Sequence, residues 1–170
     1  MLYLILSEKM QFKTKRALLR NFIEADLEEL ALMLSDAELV KHTGFKKPIS
    51  KEKAKEALDK WIEHSKENSL TRWAALSIET NRLIGWFMLM KTEFDGPELG
   101  FMIVKSQWGK GYATEVGLGV LEYARSLNIE KIYAVVNKDN LASIKVLEKV
   151  GMKRVKAHSD RADLYLIDSL

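Results

Sequence analysis

A chain of 170 residues without cysteine is long enough to build one domain around its own core, and it excludes disulfides, zinc–thiolate sites, iron–sulfur clusters and a cysteine nucleophile. Hydrophobic residues at 47% against 30% charged exclude a disordered chain, and a net charge of +3 gives no case for a nucleic-acid partner. The three histidines, His42, His64 and His158, lie too far apart in sequence for a short-spaced metal set, so no metal is expected.

The first ten residues, MLYLILSEKM, carry an apolar run that stops at Leu6 with no basic residue before it, a poor export signal. Leu83–Met90 is the longest apolar run in the body, far short of the roughly 20 residues a membrane helix needs. A cytoplasmic protein with no membrane partner is the expectation. Residues 1–12 read as an N-terminal extension and 13–170 as one domain; Met10 is an alternative start, and an extra strand is the other reading. Thr14–Phe22 predicts a strand, and Leu27, Leu30, Ala31 and Leu34 mark one face of a helix over Glu24–Leu34. Asp36–Ile49 reads as a polar connection in which His42 is a surface histidine. Ser50 then caps a helix whose stripe is Ala54, Ala57, Leu58, Trp61 and Ile62, with Trp61 in the core.

Arg72–Ile78 and Leu83–Met90 predict a hairpin, with Trp73 and Trp86 in the core or lining a groove. After a turn over Lys91–Gly96, Glu98–Val104 is a third strand. Tyr112–Leu127 predicts a helix, Ile132–Val136 a buried strand, Asn140–Val150 a helix stopped by Gly151, and Lys153–His158 and Asp163–Ile167 two closing strands. The helix Tyr112–Leu127 between two strands demands a parallel pair. Six basic residues between Lys145 and Arg161 read as a solvated face.

Glu98–Thr114, ELGFMIVKSQWGKGYAT, carries the chemistry. A strand enters a loop with Gly109 and Gly111, and a helix follows at once. Glycines admit positive φ and close backbone approach, and a helix N-terminus offers unpaired N–H groups with a positive dipole end. Together with Lys110 they suit a phosphate or pyrophosphate; an ordinary tight turn is the alternative. A P-loop pattern fails here, and Thr114 and Glu130 fit a dinucleotide fingerprint poorly.

WGKGYA (Trp108–Ala113) after ELGFMIV resembles the acetyl-coenzyme A loop of the GNAT family of N-acetyltransferases. ASIKVLEKVGM (Ala142–Met152), with Asn137 and Asn140, resembles that family's late strand–helix–strand block. TKRALLRNF (Thr14–Phe22) resembles the first strand of the branch that includes ribosomal-protein N-terminal (alanine) acetyltransferases. The likeness runs from about Thr14 to Ile167. Two positions depart from the pattern: Trp108 stands for the usual Gln or Arg, and Leu147 holds the place of a frequent catalytic tyrosine, which excludes that acid.

The resemblance implies an α+β, acyl-CoA N-acyltransferase fold: a mixed, mostly antiparallel sheet flanked by helices, with a splayed parallel strand pair that binds the cosubstrate. It implies acetyl-CoA, with backbone groups of Met102, Ile103 and Val104 pairing the pantetheine arm. Amides of Trp108, Gly109, Lys110, Gly111, Tyr112, Ala113 and Thr114 would hold the pyrophosphate, and Asn137 and Asn140 the arm from the far side. A backbone N–H near Met102 or Ile103 would stabilise the oxyanion. Glu98 is the candidate general base and Ser143 the candidate partner of the leaving thiolate. The acceptor would be an amine, either a protein N-terminus or a small molecule, with a non-catalytic acyl-CoA-binding module as the other class and a monomer or homodimer as the assembly.

Overall fold

The computed structural model describes residues 11–168; the readings of residues 1–10, including the start at Met10, lie outside it. Strands β1 (Gln11–Lys13), β2 (Ala17–Asn21), β3 (Arg72–Ser77), β4 (Leu83–Met90), β5 (Glu98–Ile103), β6 (Lys131–Asn137), β7 (Lys153–Ala157) and β8 (Ala162–Asp168) form one sheet in the order β1-β2-β3-β4-β5-β6-β8-β7. Every neighbouring pair is antiparallel except β5–β6, which is parallel, as the crossover helix required. Helices α1 (Leu27–Leu34), α2 (Ala37–Val40) and α3 (Lys51–Glu67) precede β3 in the chain; α4 (Tyr112–Ser126) joins β5 to β6, and α5 (Leu141–Lys149) joins β6 to β7.

Two cores lie on opposite faces of the sheet. Leu30, Leu34, Leu58 and Val40 from the first three helices pack on Ala74, Trp86 and Met102. Val116, Val120 and Ala124 of α4 and Leu147 of α5 pack on Leu19, Phe87, Leu99, Ile132 and Ala134. Alternation along each strand sorts the side chains between these cores.

The sheet begins earlier than the sequence indicated. Thr14–Phe22 is not one strand: Thr14 N–H donates to the Ala17 carbonyl at 2.9 Å, turning the chain so that Gln11–Lys13 pairs back on β2. Phe12 is thereby buried, stacked on Tyr123 with ring centroids 5.2 Å apart. The first turn of the predicted helix at Glu24 is a 3₁₀ turn, tightened around the buried Asp26 carboxylate, which accepts two bonds from Arg20 at 2.7 Å and one from Ile23 N–H at 2.9 Å. The connection after α1 contains α2, capped by Asp36 accepting from Glu38 N–H at 2.9 Å. β5 stops at Ile103, one residue early, because the Val104 carbonyl turns to take the Gln107 N–H at 2.9 Å.

Candidate active site

The parallel pair barely forms. Its register holds at one position, Glu98 opposite Tyr133, with Tyr133 N–H donating to the Pro97 carbonyl at 2.9 Å. Two residues on, Val135 has no bridge to β5, and its backbone N–H favours the ionised form of the Glu98 carboxyl. Past this point β5 and β6 diverge, and each turns an unpaired edge into the gap. Val104 N–H donates to the Ile84 carbonyl at 2.9 Å, so by alternation the backbone groups of Met102 and Gly100 also face β4. Those of Leu99, Phe101 and Ile103 face the gap. Of the three residues expected to pair with an extended ligand, only Ile103 therefore offers its N–H there. Phe101 is the residue that sequence reading missed, although the period of two could have found it. The Ile103 carbonyl is already used: the Trp108 indole N–H donates to it at 2.7 Å.

The loop after β5 ends at a helix N-terminus. Gly109 and Gly111 sit at φ 73° and 81°, which a side chain resists, and α4 starts at Tyr112 with no side-chain cap. Among the described residues nothing accepts the N–H groups of Gly109, Gly111, Tyr112, Ala113 or Thr114. Trp108 N–H donates to the Lys105 carbonyl at 3.0 Å and Lys110 N–H to the Gln107 carbonyl at 3.4 Å, so these two fix the loop instead of facing outward. Five clustered free amides at the positive end of the helix dipole favour negative charge there. Arg16, which the sequence did not single out, braces it. Its guanidinium donates to the Lys110 carbonyl at 3.0 Å and to Glu115 at 2.6 Å, and stacks 4.4 Å from the Tyr112 ring centroid. Burial alone would raise the Glu115 pKa; bonds from Thr14 and from the side chain and N–H of Arg16 outweigh it and hold the carboxyl below its ordinary range.

Glu98 is half-buried at the point where the strands part, on the face covered by α1–α3. Burial raises its pKa, opposed by the Val135 N–H. Val135 and Asn137 share this face, since Ile132, Ala134 and Val136 point into the other core. At the end of β6 the Asn137 amide Nδ2 donates to His42 Nδ1 at 3.1 Å, and the Asp139 carboxylate lies 3.8 Å from that nitrogen. His42 is thus not the surface histidine expected: only 19% of its side chain is exposed. Across the gap, Lys105 Nζ at the end of β5 lies 2.9 Å from both Asp36 and Glu38. The segment from Asp36 to His42 therefore bridges the mouth of the gap, tied to both diverging strands.

Asn140 caps α5, its Oδ1 accepting the Ser143 N–H at 3.2 Å, which leaves its Nδ2 for a ligand. The Ser143 hydroxyl makes no bond among the described residues and sits in the first turn of α5. Leu147 is 1% exposed, a core residue with no access to chemistry. Trp61 is half-buried against Phe22, Phe45 and Trp86. Trp73 and Trp86 are both buried, on opposite faces. Lys145, Lys149, Lys153, Arg154, Lys156 and Arg161 are all exposed, in keeping with a solvated face. Arg72, unremarked in the sequence, is half-buried on the α1–α3 face, and burial lowers its pKa to about 10, so it stays charged at neutral pH. Among the described residues no group of three or more His, Asp or Glu is placed to hold a metal, and no helix is long and apolar enough to cross a membrane.

The diverging β5–β6 pair thus leads from Glu98 to a glycine loop and the N-terminus of α4. The family model for the acetyltransferase (GNAT) domain matches residues 16–153, and the chain belongs to this family of acetyl-CoA-dependent acetyltransferases. Among curated relatives, the uncharacterized N-acetyltransferase YoaA of Bacillus subtilis is 30% identical over 84% of this chain and 82% of its own length. The uncharacterized N-acetyltransferase p20 of Bacillus licheniformis is 29% identical over 92% of this chain and 94% of its own. A GNAT acetyltransferase from Bacillus anthracis shares the fold with a TM-score of 0.81 and 24% identity, covering 94% of this chain and 98% of that one. Spermidine N-acetyltransferase from Vibrio cholerae, solved with CoA and spermine, does so with a TM-score of 0.75 and 21% identity over 90% and 95% of the two chains. The ribosomal-protein-S5-alanine acetyltransferase of Vibrio fischeri gives 0.73 and 17% over 94% and 96%.

Proposed function

We propose that the chain moves the acetyl group of acetyl-CoA directly onto a primary amine while both substrates are bound. The observation that carries this reading is the single-bridge β5–β6 pair: its open edges run from the half-buried Glu98 to the five free amides at the start of α4. The residues present fit the cosubstrate. Phe101 offers backbone groups to the pantetheine arm as an added strand would, with Asn137 at the end of β6 and Asn140 at the start of α5 on the far side. Gly109, Gly111, Tyr112, Ala113 and Thr114 amides receive the pyrophosphate, with Lys110 adding a cation.

Attack by the amine on the thioester carbonyl forms the C–N bond and places negative charge on oxygen. The Ile103 N–H stabilises that charge. An alkyl amine is mostly protonated at neutral pH, so a base must take its proton; Glu98 does so, directly or through water, aided by its raised pKa. The C–S bond then breaks, and the Ser143 hydroxyl donates a hydrogen bond to the leaving thiolate, which needs little help with a thiol pKa of about 8.5. The acceptor is a protein N-terminal amine or a small-molecule amine; both present the same nucleophile.

Thermal unfolding with acetyl-CoA, CoA and NADH, followed by thiol release over a panel of amines, tests this reading. Expected are a rise in Tm with both CoA species, none with NADH, and amine-dependent thiol release. A ligand at a hundred times Kd adds about 2.7 kcal/mol of stability. A shift without turnover on any amine would make the chain an acyl-CoA-binding module, and no shift would reduce the glycine loop to a turn.

A further inference from the structure

On the α1–α3 face one cation, Arg72, has no ion-pair partner among the described residues. Arg72 of β3 stacks its guanidinium 4.1 Å from the ring centroid of Trp61 and 4.5 Å from that of Trp86. Its Nη2 donates only to the thioether sulfur of Met88, at 3.1 Å, and a thioether is a weak acceptor. Its Nε is buried with no partner, and so is the indole Nε1 of Trp86 beside it. No carboxylate among the described residues forms a salt bridge or hydrogen bond with it, and burial lowers its pKa. Buried charges in proteins are ordinarily paired, and an arginine carries a planar fork of donors matched to two oxygens.

Its position gives the unpaired guanidinium a direction. Arg72 pairs with Met88, and Met88 with Gly100, so the three form one row across β3, β4 and β5. Glu98 lies two residues along β5 from that row and points to the same face. Met88 fills the space above Gly100: its Cε would lie 2.5 Å from a side-chain carbon placed there. A flexible methionine is therefore the wall between the guanidinium and the edge of β5 where acetyl transfer is placed. Strands are about 4.8 Å apart, so the two centres are separated by little more than one strand and its side chains. That span suits an amine and an anionic group carried on one small molecule.

We propose that the acceptor is a small amine that also carries a carboxylate, and that Arg72, with the Met88 thioether displaced, binds that carboxylate while the amine faces Glu98. Arg72 is then a specificity-determining residue. The proposal rests on the acetyl-transfer reading above and deepens it.

The test compares thiol release at saturating acetyl-CoA for pairs of amines that differ only in the carboxylate and whose reacting amine stands a chain's length from it: L-lysine, through its side-chain amine, against cadaverine, and 6-aminohexanoate against pentylamine. The wild type should favour the carboxylate-bearing member at least tenfold in kcat/KM. Arg72→Met should lower kcat/KM for that member by about 10- to 100-fold, the worth of a charge-assisted pair, and change the other less than about twofold. Arg72→Lys, which keeps the charge and loses the fork, should fall between and secures the comparison if Arg72→Met folds poorly. Equal turnover of both members by the wild type, an equal loss on both in the variants, or a preference for peptide N-termini lacking carboxylates overturns the proposal and leaves acetyl transfer standing. Failure to acetylate any amine overturns both.

Discussion

Replacing Glu98 with Gln separates two consequences of one carboxylate. The substitution keeps the shape at the point where β5 and β6 part and removes the carboxylate proposed to take the amine's proton. General-base catalysis contributes typically 10²- to 10⁴-fold, or about 3–5 kcal/mol of barrier, so kcat should fall by at least 100-fold. The wild-type rate should rise with pH as the Glu98 carboxyl ionises, above the ordinary glutamate range because burial raises its pKa. That limb should vanish in Glu98→Gln, while the limb set by the amine's own ionisation stays. Stability should move the other way. A carboxyl whose folded pKa exceeds its unfolded one binds more protons when folded, so its ionisation opposes folding at neutral pH and ceases to as the pH falls below both values. Glu98→Gln should therefore raise Tm at pH 7, with the gain gone below about pH 4, near the unfolded glutamate value. Thiol release against pH, with Tm and the acetyl-CoA-induced shift measured on the same samples, checks all three. A wild-type rate with an unchanged pH profile would remove Glu98 from the mechanism; a lost acetyl-CoA shift would show that it acts on binding instead.

Gly109→Ala meets no atom within 4 Å but must hold φ 73°, so urea unfolding should show a loss of about 1–2 kcal/mol, with a smaller acetyl-CoA shift as the loop amides move. Glu115→Ala strips acceptors from Thr14 and Arg16 and should cost about 2–3 kcal/mol at pH 7. Since the folded pKa of Glu115 is lowered, that contribution is complete above the ordinary glutamate range and is lost as the pH falls through the lowered value, so wild type and variant should converge in acid denaturation. Leu147→Ala empties a site that is 1% exposed and should cost about 2–5 kcal/mol in the same assay.

Much of the architecture was legible because periodicity reports burial directly. The stripe at Leu27, Leu30, Ala31 and Leu34 found its core, whereas the apolar run Ile132–Val136, expected to be covered on both faces, buries only Ile132, Ala134 and Val136, because the parting of β5 and β6 leaves the side of Tyr133 and Val135 half-open. The glycine loop was legible because positive φ has few tenants. What escaped was set by pairing. Thr14 makes its turn by hydrogen-bonding to Ala17, an interaction no hydropathy pattern carries. Register with β4 decides that Ile103 and not Met102 turns its amide to the gap, and a strand alone shows alternation without showing phase. His42 gained a role only when Asn137, distant in sequence, came within reach. Arg72 is notable for a partner it lacks, and that is visible only once every neighbour is in place.

The single bridge between Glu98 and Tyr133 also makes the sheet two leaves on one hinge. One leaf is β1 to β5, the other β6, β8 and β7, and past that bridge they are held together by helices and by the strap at Asp36 and His42, not by a ladder. A molecule that hydrogen-bonds to both inner edges is then a rivet as well as a reactant. Such a molecule would add the rungs the ladder lacks past Glu98 and stiffen the sheet while it stayed bound.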